Sequence, residues 1–162
     1  MAYSSRLLDA LDDIVTELST ISTANGFYYN PTIVRAIRPA DKVVEPPEIG
    51  VELGNEIITS EVINDNVFRS EATVTICGTV QSEHPLDADG SEIMTDTEKL
   101  RHDIKRIIAG MFFKYHQASP TWHVKRDTVR LFPLVGLDDN RTKAQVWAQF
   151  TIRIVNLDTT LA

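Results

Sequence analysis

An amphipathic helix within the first thirty residues places the strongest constraint on how this chain can fold. Ser4 or Ser5 can cap its start, and the aspartates in its first half suit the positive end of a helix dipole. The pattern predicts a helix over residues 5–23 that Asn25-Gly26 stops, with a buried stripe that a second layer must cover. Apolar residues recur along it at helical spacing: Leu7, Leu8, Leu11, Ile14, Val15, Leu18 and Ile21.

Alternation of apolar and polar residues predicts strands through much of the remaining sequence. Pro39 closes the first strand, Pro46-Pro47 leads into the second, and Gly54-Asn55 is a turn signal after which the chain pairs back. The longest strand has an apolar face and an uncharged polar face, and the polar face either meets solvent or contacts another subunit. The predicted strands cover residues 33–38, 48–53, 56–63, 68–81, 128–135 and 146–157.

A second amphipathic helix is predicted after an acidic loop over residues 82–94. Thr95 and Glu98 have the spacing of a capping box, in which Thr95 caps the helix and Glu98 reaches back. The elements together predict a single α+β domain over residues 1–162, with two long helices packed on one face of a mainly antiparallel sheet of about four to six strands. The apolar face of this second helix consists of Leu100, Ile104, Ile107, Ile108, Met111, Phe112 and Tyr115.

Charge and hydropathy argue against several classes of protein. The net charge of −7 disfavours a protein that coats nucleic acid, because such proteins gain affinity by neutralising phosphates with Lys and Arg. The apolar runs are far shorter than the ~20 residues that a membrane-spanning helix needs. The N-terminal residues also lack the apolar core of a secretory signal. We therefore expect no membrane association and a cytoplasmic origin.

The residues that could carry chemistry are scattered, so we expect no catalytic, cofactor or metal site and no enzyme activity. The single cysteine, Cys77, lies within a predicted strand and lacks the signature of a nucleophile. Residues 87–92 have the acids of a calcium loop, but Gly90 stands at the wrong position for an EF-hand, and a solvated acidic loop is the simpler interpretation. Four histidines without zinc spacing are expected at the surface: His84, His102, His116 and His123.

The second helix concentrates positive charge away from its apolar face, in an otherwise acidic chain. One interpretation is a solvated face with Asp103 interspersed. The other is a contact between subunits, in which Arg101 and Lys105 meet the acidic side of the first helix. That acidic side consists of Asp9, Asp12, Asp13 and Glu17, and the basic residues of the second helix are Lys99, Arg101, His102, Lys105 and Arg106.

The order of these elements resembles the phage tail terminator family. The shared features are a long N-terminal helix, the Asn25-Gly26-Phe27-Tyr28 turn, and a short strand that ends at Arg38. A proline-led strand, a long strand, a second long helix and a closing hairpin follow in the same order. The resemblance covers nearly the whole chain and depends on pattern and element order, because the family has no catalytic signature.

The resemblance implies a structural virion protein that assembles as a ring, usually a hexamer, on the last ring of the tail tube. Such a ring stops tube growth and offers a surface for head attachment, after assembly in the host cytoplasm. The implied partners are further copies of the chain, the tail tube protein, head completion or neck proteins, and the tail sheath protein. Genomic DNA passes through the channel without sequence-specific binding. On this view Asp87, Asp89 and Glu92 lie on a loop that faces the channel or the tube.

Two other classes of function stay open from the sequence. A neighbouring neck or tail-completion adaptor would share the size, the charge and the ring habit, but it would bind the head portal instead of capping tail tubes. A small ligand-binding or enzymatic α+β domain would need a concave pocket with convergent polar groups. The sequence supplies no candidate set of residues for such a pocket.

Overall fold

The described part of the chain forms a five-stranded sheet and two helices. A computed structural model gives the structure of residues 6–64, 67–82, 91–115, 122–137 and 142–157. The predicted α+β class with a mainly antiparallel sheet is confirmed, while its extent as one domain over residues 1–162 stays a prediction. The elements are α1 (Arg6–Leu18), β1 (Thr32–Val34), β2 (Glu48–Asn64), β3 (Val67–Gln81), α2 (Ser91–Lys114), β4 (Trp122–Leu137) and β5 (Lys143–Leu157).

The strands lie in the order β1-β2-β3-β5-β4. β1 is parallel to β2, and every other pair of neighbours is antiparallel. β3 and β5 pair without interruption from Val67 to Gln81 and form the centre of the sheet. β1 pairs with β2 only as far as Gly50. Within the described ranges, the outer edge of β2 beyond Gly50 and the outer edge of β4 therefore have no strand partner.

The core lies between one face of the sheet and the two helices. Ala10, Leu11, Ile14 and Leu18 form the buried stripe of α1, as the sequence predicts. Gly78 lets α2 approach the sheet, because a Cβ at this residue would lie 2.8 Å from Leu100 Cδ2 and 2.9 Å from Ile104 Cδ1. Further buried residues on this face of β3 and β5 are Ala72, Val74, Ile76, Val80, Val146, Ala148, Phe150, Ile152 and Ile154.

The connection from β1 to β2 crosses the opposite face of the sheet. Gln145 Nε2 donates a hydrogen bond to the Arg38 carbonyl at 2.7 Å, and Lys143 Nζ donates one to the Val43 carbonyl at 2.6 Å. A Cβ at Gly50 would lie only 2.3 Å from the Ala36 carbonyl oxygen, so glycine permits the two backbones to pass this closely. The polar face of the sheet is therefore covered in part by the chain itself, and Cys77 on this face is buried.

The predicted ends of both helices are wrong by several residues. α1 ends at Leu18 and is followed by a short 3-10 helix over Thr23–Asn25, which Ser22 caps. Gly26, with φ +78°, therefore closes this 3-10 helix and not α1. α2 begins at Ser91, so residues 91–94 are not loop, and Thr95 lies inside the helix instead of capping it.

Several predicted strand limits are also wrong, because pairing across the sheet overrides local signals. Gly54-Asn55 is not a turn: β2 continues through these residues with a shift in register before Glu56. β1 ends at Val34, since the following residues leave the edge and cross the sheet. β4 begins at Trp122 and β5 at Lys143, six and three residues earlier than predicted.

Candidate assembly surfaces

A buried carboxylate on α2 holds the turn that follows α1. Asp103 is fully buried, and its Oδ2 accepts hydrogen bonds from the backbone N–H groups of Tyr28 at 2.9 Å and Tyr29 at 3.2 Å. Burial raises the pKa of this carboxyl, and the two N–H donors oppose that shift. Arg106 donates to the Gly26 carbonyl at 2.7 Å and lies over the Phe27 ring, 4.2 Å from its centroid. The turn and α2 therefore present one continuous surface.

The basic residues of α2 lie on its outer side, and several have partners in the same chain. Arg101 Nη1 is 3.0 Å from Glu98 Oε1, and Lys99 Nζ is 4.0 Å from Asp96 Oδ1. Lys105 is exposed. Exposed ion pairs of this kind contribute about 0–1 kcal/mol each, so they stabilise the fold little.

The acidic residues of α1 also have contacts within the chain. Asp12 forms an ion pair with Arg35, and Glu17 forms one with Lys114. Asp13 Oδ2 accepts a hydrogen bond of 2.8 Å from the indole N–H of the fully buried Trp122. The predicted contact of Arg101 and Lys105 with Asp9, Asp12 and Asp13 is one between subunits, and it stays a prediction.

The acidic loop predicted to face the channel or the tube falls mostly outside the described residues. Asp87 and Asp89 lie there, whereas Glu92 is described and half-buried in the first turn of α2. An acid at this end of a helix is stabilised by the helix dipole. The orientation of the three residues toward a channel or tube stays a prediction.

Among the cavities on the surface of the described residues, two lie beside β4 and beside α2. The larger, of about 620 Å³, lies beside the irregular part of β4 and is lined by Phe112, His123, Val124, Lys125, Arg126, Asp127 and Arg153. The smaller, of about 530 Å³, lies against the turn and α2 and is lined by Tyr28, Met94, Thr95, Glu98, Lys99 and His102. Cationic side chains predominate in the first cavity, and Tyr28 supplies an aromatic wall in the second.

Neither cavity contains the thiol of the chain. Cys77 is buried in β3, and burial raises the pKa of its thiol to about 12. The reactive thiolate is therefore strongly disfavoured at neutral pH, in agreement with a passive thiol. Among the described residues, no group of three or more His, Cys, Asp or Glu side chains is arranged to hold a metal ion.

Glu71 gives the sheet a testable dependence on pH. A hydrogen bond from Arg153 at 2.7 Å lowers the pKa of Glu71 below its ordinary value of 4.5, and Lys125 adds to the shift. Because the folded state favours the ionised carboxylate, this stabilisation is present above pH 4.5 and is lost as the pH falls through the folded-state pKa.

Glu71→Gln should therefore make the loss of stability on acidification smaller than in the wild type. The measurement is the urea midpoint at neutral pH and at several values below pH 4.5, the ordinary value for this group. Glu45→Gln, at an exposed position, is the matched control and should follow the wild-type profile. If the urea midpoints of wild type and Glu71→Gln fall by equal amounts on acidification, the role assigned to the Glu71 carboxylate is contradicted.

The two unpaired edges of the sheet carry side chains of opposite charge. Glu52 and Glu56 are exposed on β2, and Arg126 and Arg130 are exposed on β4. No local pattern in the sequence links these four residues, because only the strand order places them on the two edges of one sheet. The interpretation that Asp103 belongs to a solvated face of α2 is wrong, because the residue is buried. Its spacing indicates this position, since it lies within the apolar stripe of α2, three residues after Leu100.

Comparisons with known proteins identify no family for this chain. No described helix combines the length and the apolar character that crossing a membrane requires. No protein-family model matches the chain, and no curated protein is significantly similar to it.

Proposed function

We propose that this chain is a structural virion protein that forms a ring at the head-proximal end of a phage tail tube. The ring ends polymerisation of the tube and provides the surface to which the head attaches. Support comes from the element order, which runs from α1 through a short β1, a proline-led β2 and a long β3 to α2 and a closing pair of strands. This is the order of the tail terminators that the sequence resembles.

One observation carries the proposal: both ends of the sheet are strand edges without a partner in the described residues. An unpaired edge is a ready template for association with another chain, so proteins cover or pair their edges. Repeated contact between different surfaces of identical subunits closes into a ring when the rotation permits. Ring formation gives both edges a partner at once.

The charge of the chain suits a channel through which DNA travels. With a net charge of −7, the protein repels the phosphate backbone at short range instead of retaining it. The partners on this proposal are further copies of the chain in a hexameric ring, the tail tube protein, and head completion or neck proteins. A sheath protein is a further partner in a contractile tail, and the protein assembles in the host cytoplasm before it becomes part of the virion.

The test is the length of tail tubes in a virus that lacks this protein. Overgrown or headless tails are expected, because nothing would stop the tube or join it to the head. A plasmid copy of the gene should restore normal particles, whereas a frameshifted copy should not, which separates loss of the protein from effects on neighbouring genes. Tails of normal length joined to heads would contradict the proposal. Binding of the purified protein to the head portal, without capping of tubes, would assign it to a neck adaptor.

A further inference from the structure

We propose that successive copies of this chain associate head to tail, with the outer edge of β2 in one copy paired to the outer edge of β4 in the next. The pairing is antiparallel and extends the sheet from one copy into its neighbour. This inference names the interface of the proposed ring and so rests on the proposed function.

Charge selects this combination of edges over the alternatives. Residues 51–59 of β2, beyond the part that pairs with β1, contain two acids and no Lys or Arg, and both acids, Glu52 and Glu56, are exposed. On β4, Arg126 and Arg130 are exposed, and with Lys125 they leave residues 125–130 net positive despite the exposed Asp127. Pairing β2 with β2, or β4 with β4, would place like charges against each other, which destabilises neighbouring strands. Pairing β2 with β4 places acids beside bases.

The register of the sheet puts the opposite charges at one level. Glu52 pairs with Thr75 on β3, Thr75 pairs with Gln149 on β5, and Gln149 pairs with Arg130 on β4. Partners directly across a sheet lie on the same face. Glu52 and Arg130 are therefore the two ends of one row, on the face opposite the helices. Rotation about an axis along the strands brings Arg130 of one copy beside Glu52 of the next.

Strand direction is also compatible with this arrangement. β2 is antiparallel to β3, β3 to β5, and β5 to β4, so β2 and β4 run in opposite directions. Cyclic symmetry keeps all copies in the same orientation along the axis. The new pair of strands is then antiparallel, like its neighbours within each copy.

The same contact would bury apolar side chains that are exposed on both edges. Ile57 and Ile58 on β2 are 66% and 68% exposed. They are consecutive residues of a strand, so they point to opposite faces and leave both sides of the edge apolar. Phe132 on β4 is 39% exposed and lies two residues from Arg130 on the same face. A long, apolar, uncovered edge is a site at which chains associate.

Sedimentation velocity over a range of protein concentrations at low salt tests the interface with two charge-reversal variants. One variant carries Glu52→Lys with Glu56→Lys, and the other carries Arg126→Glu with Arg130→Glu. Wild type should form complexes larger than a dimer. Each variant alone should associate at least about tenfold more weakly, because attraction becomes repulsion. An equimolar mixture of the two should regain association, since each copy then meets an edge of opposite charge on both sides.

Lys105→Glu on α2 is the control for charge reversal away from the edges, and circular dichroism shows whether each variant is folded. Loss of association only in Lys105→Glu would move the contact to the helices and overturn the proposal. A wild-type monomer at every concentration would also overturn it, as would a folded pair of variants that fails to associate when mixed. If the wild type associates through these edges but a virus that lacks the protein has normal tails, the interface is supported and the proposed function is refuted.

Discussion

Gly50→Ala is expected to lower the free energy of unfolding by about 3 kcal/mol, the upper end of what overpacking usually costs, because the atoms that it meets cannot move aside. The new Cβ would lie 2.3 Å from the Ala36 carbonyl oxygen and 3.1 Å from Ile37 Cα. Both neighbours are backbone atoms, so no side-chain rotation relieves the clash. The segment that crosses the sheet would have to lift, and the hydrogen bond from Ile37 N–H to Glu52 Oε1, 2.9 Å long, would break.

The matched control is the same substitution at Gly110 in α2. A Cβ at Gly110 meets no described heavy atom within 4 Å. Alanine should therefore stabilise the protein there by about 0.5–1 kcal/mol, because it favours the helix over the unfolded chain. Urea unfolding followed by circular dichroism measures both effects. Equal midpoints for Gly50→Ala and wild type would show that the two backbones do not pass this closely.

Asp103→Ala is expected to lower the free energy of unfolding by about 3 kcal/mol. The substitution leaves two backbone N–H donors without the carboxylate that accepts their hydrogen bonds. The carboxylate is fully buried and is the acceptor for the N–H groups of Tyr28 and Tyr29. Loss of the anchor should release the turn from α2 while the sheet stays folded. Hydrogen exchange at the two tyrosine amides should therefore accelerate more than exchange in β3 and β5.

Asp103→Asn separates the role of the acceptor from the role of the charge. The amide oxygen can still accept from Tyr28 and Tyr29, and the neutral side chain avoids the cost of burying a charge, which is the main cause of the raised pKa. We expect this variant to retain most of the stability that Asp103→Ala loses. Equal losses in both variants, or unchanged amide exchange in Asp103→Ala, would contradict the anchoring role.

The elements of the fold were predictable where a side-chain pattern repeats along the chain. The stripe from Leu7 to Ile21 identified α1, and the stripe from Leu100 to Tyr115 identified most of α2. Both are local patterns with a fixed helical period, so no knowledge of the rest of the fold was needed.

The predicted limits of the strands are wrong where pairing across the sheet determines the structure. β4 has several residues between Lys125 and Arg130 that oppose only one residue of β5, so the alternation of its sequence is interrupted. Gly54-Asn55 is a local turn signal, but pairing with β3 on both sides of it carries β2 straight through. A reading of neighbouring residues cannot detect either effect.

The candidate interface was hidden for a related reason. Glu52 and Arg130 are far apart in the sequence, and they mark the two ends of one row only because β5 lies between β3 and β4. The basic face of α2 gives a stronger signal in the sequence, because its charges follow one another at short spacing. Strand order is a property of the whole chain, and no single segment encodes it.

The contacts of α1 and of the turn that follows it also affect the order in which a newly made chain can be completed. Asp13 accepts a hydrogen bond from Trp122, 109 residues later, and Tyr28 donates one to Asp103, 75 residues later. At ~5–20 residues per second, the first helix waits on the order of ten seconds for these partners to leave the ribosome. During that interval its apolar stripe lacks the part of the core that α2, β4 and β5 supply. α1 is synthesised before β4 supplies Trp122, so it is among the last of the described elements to be fixed.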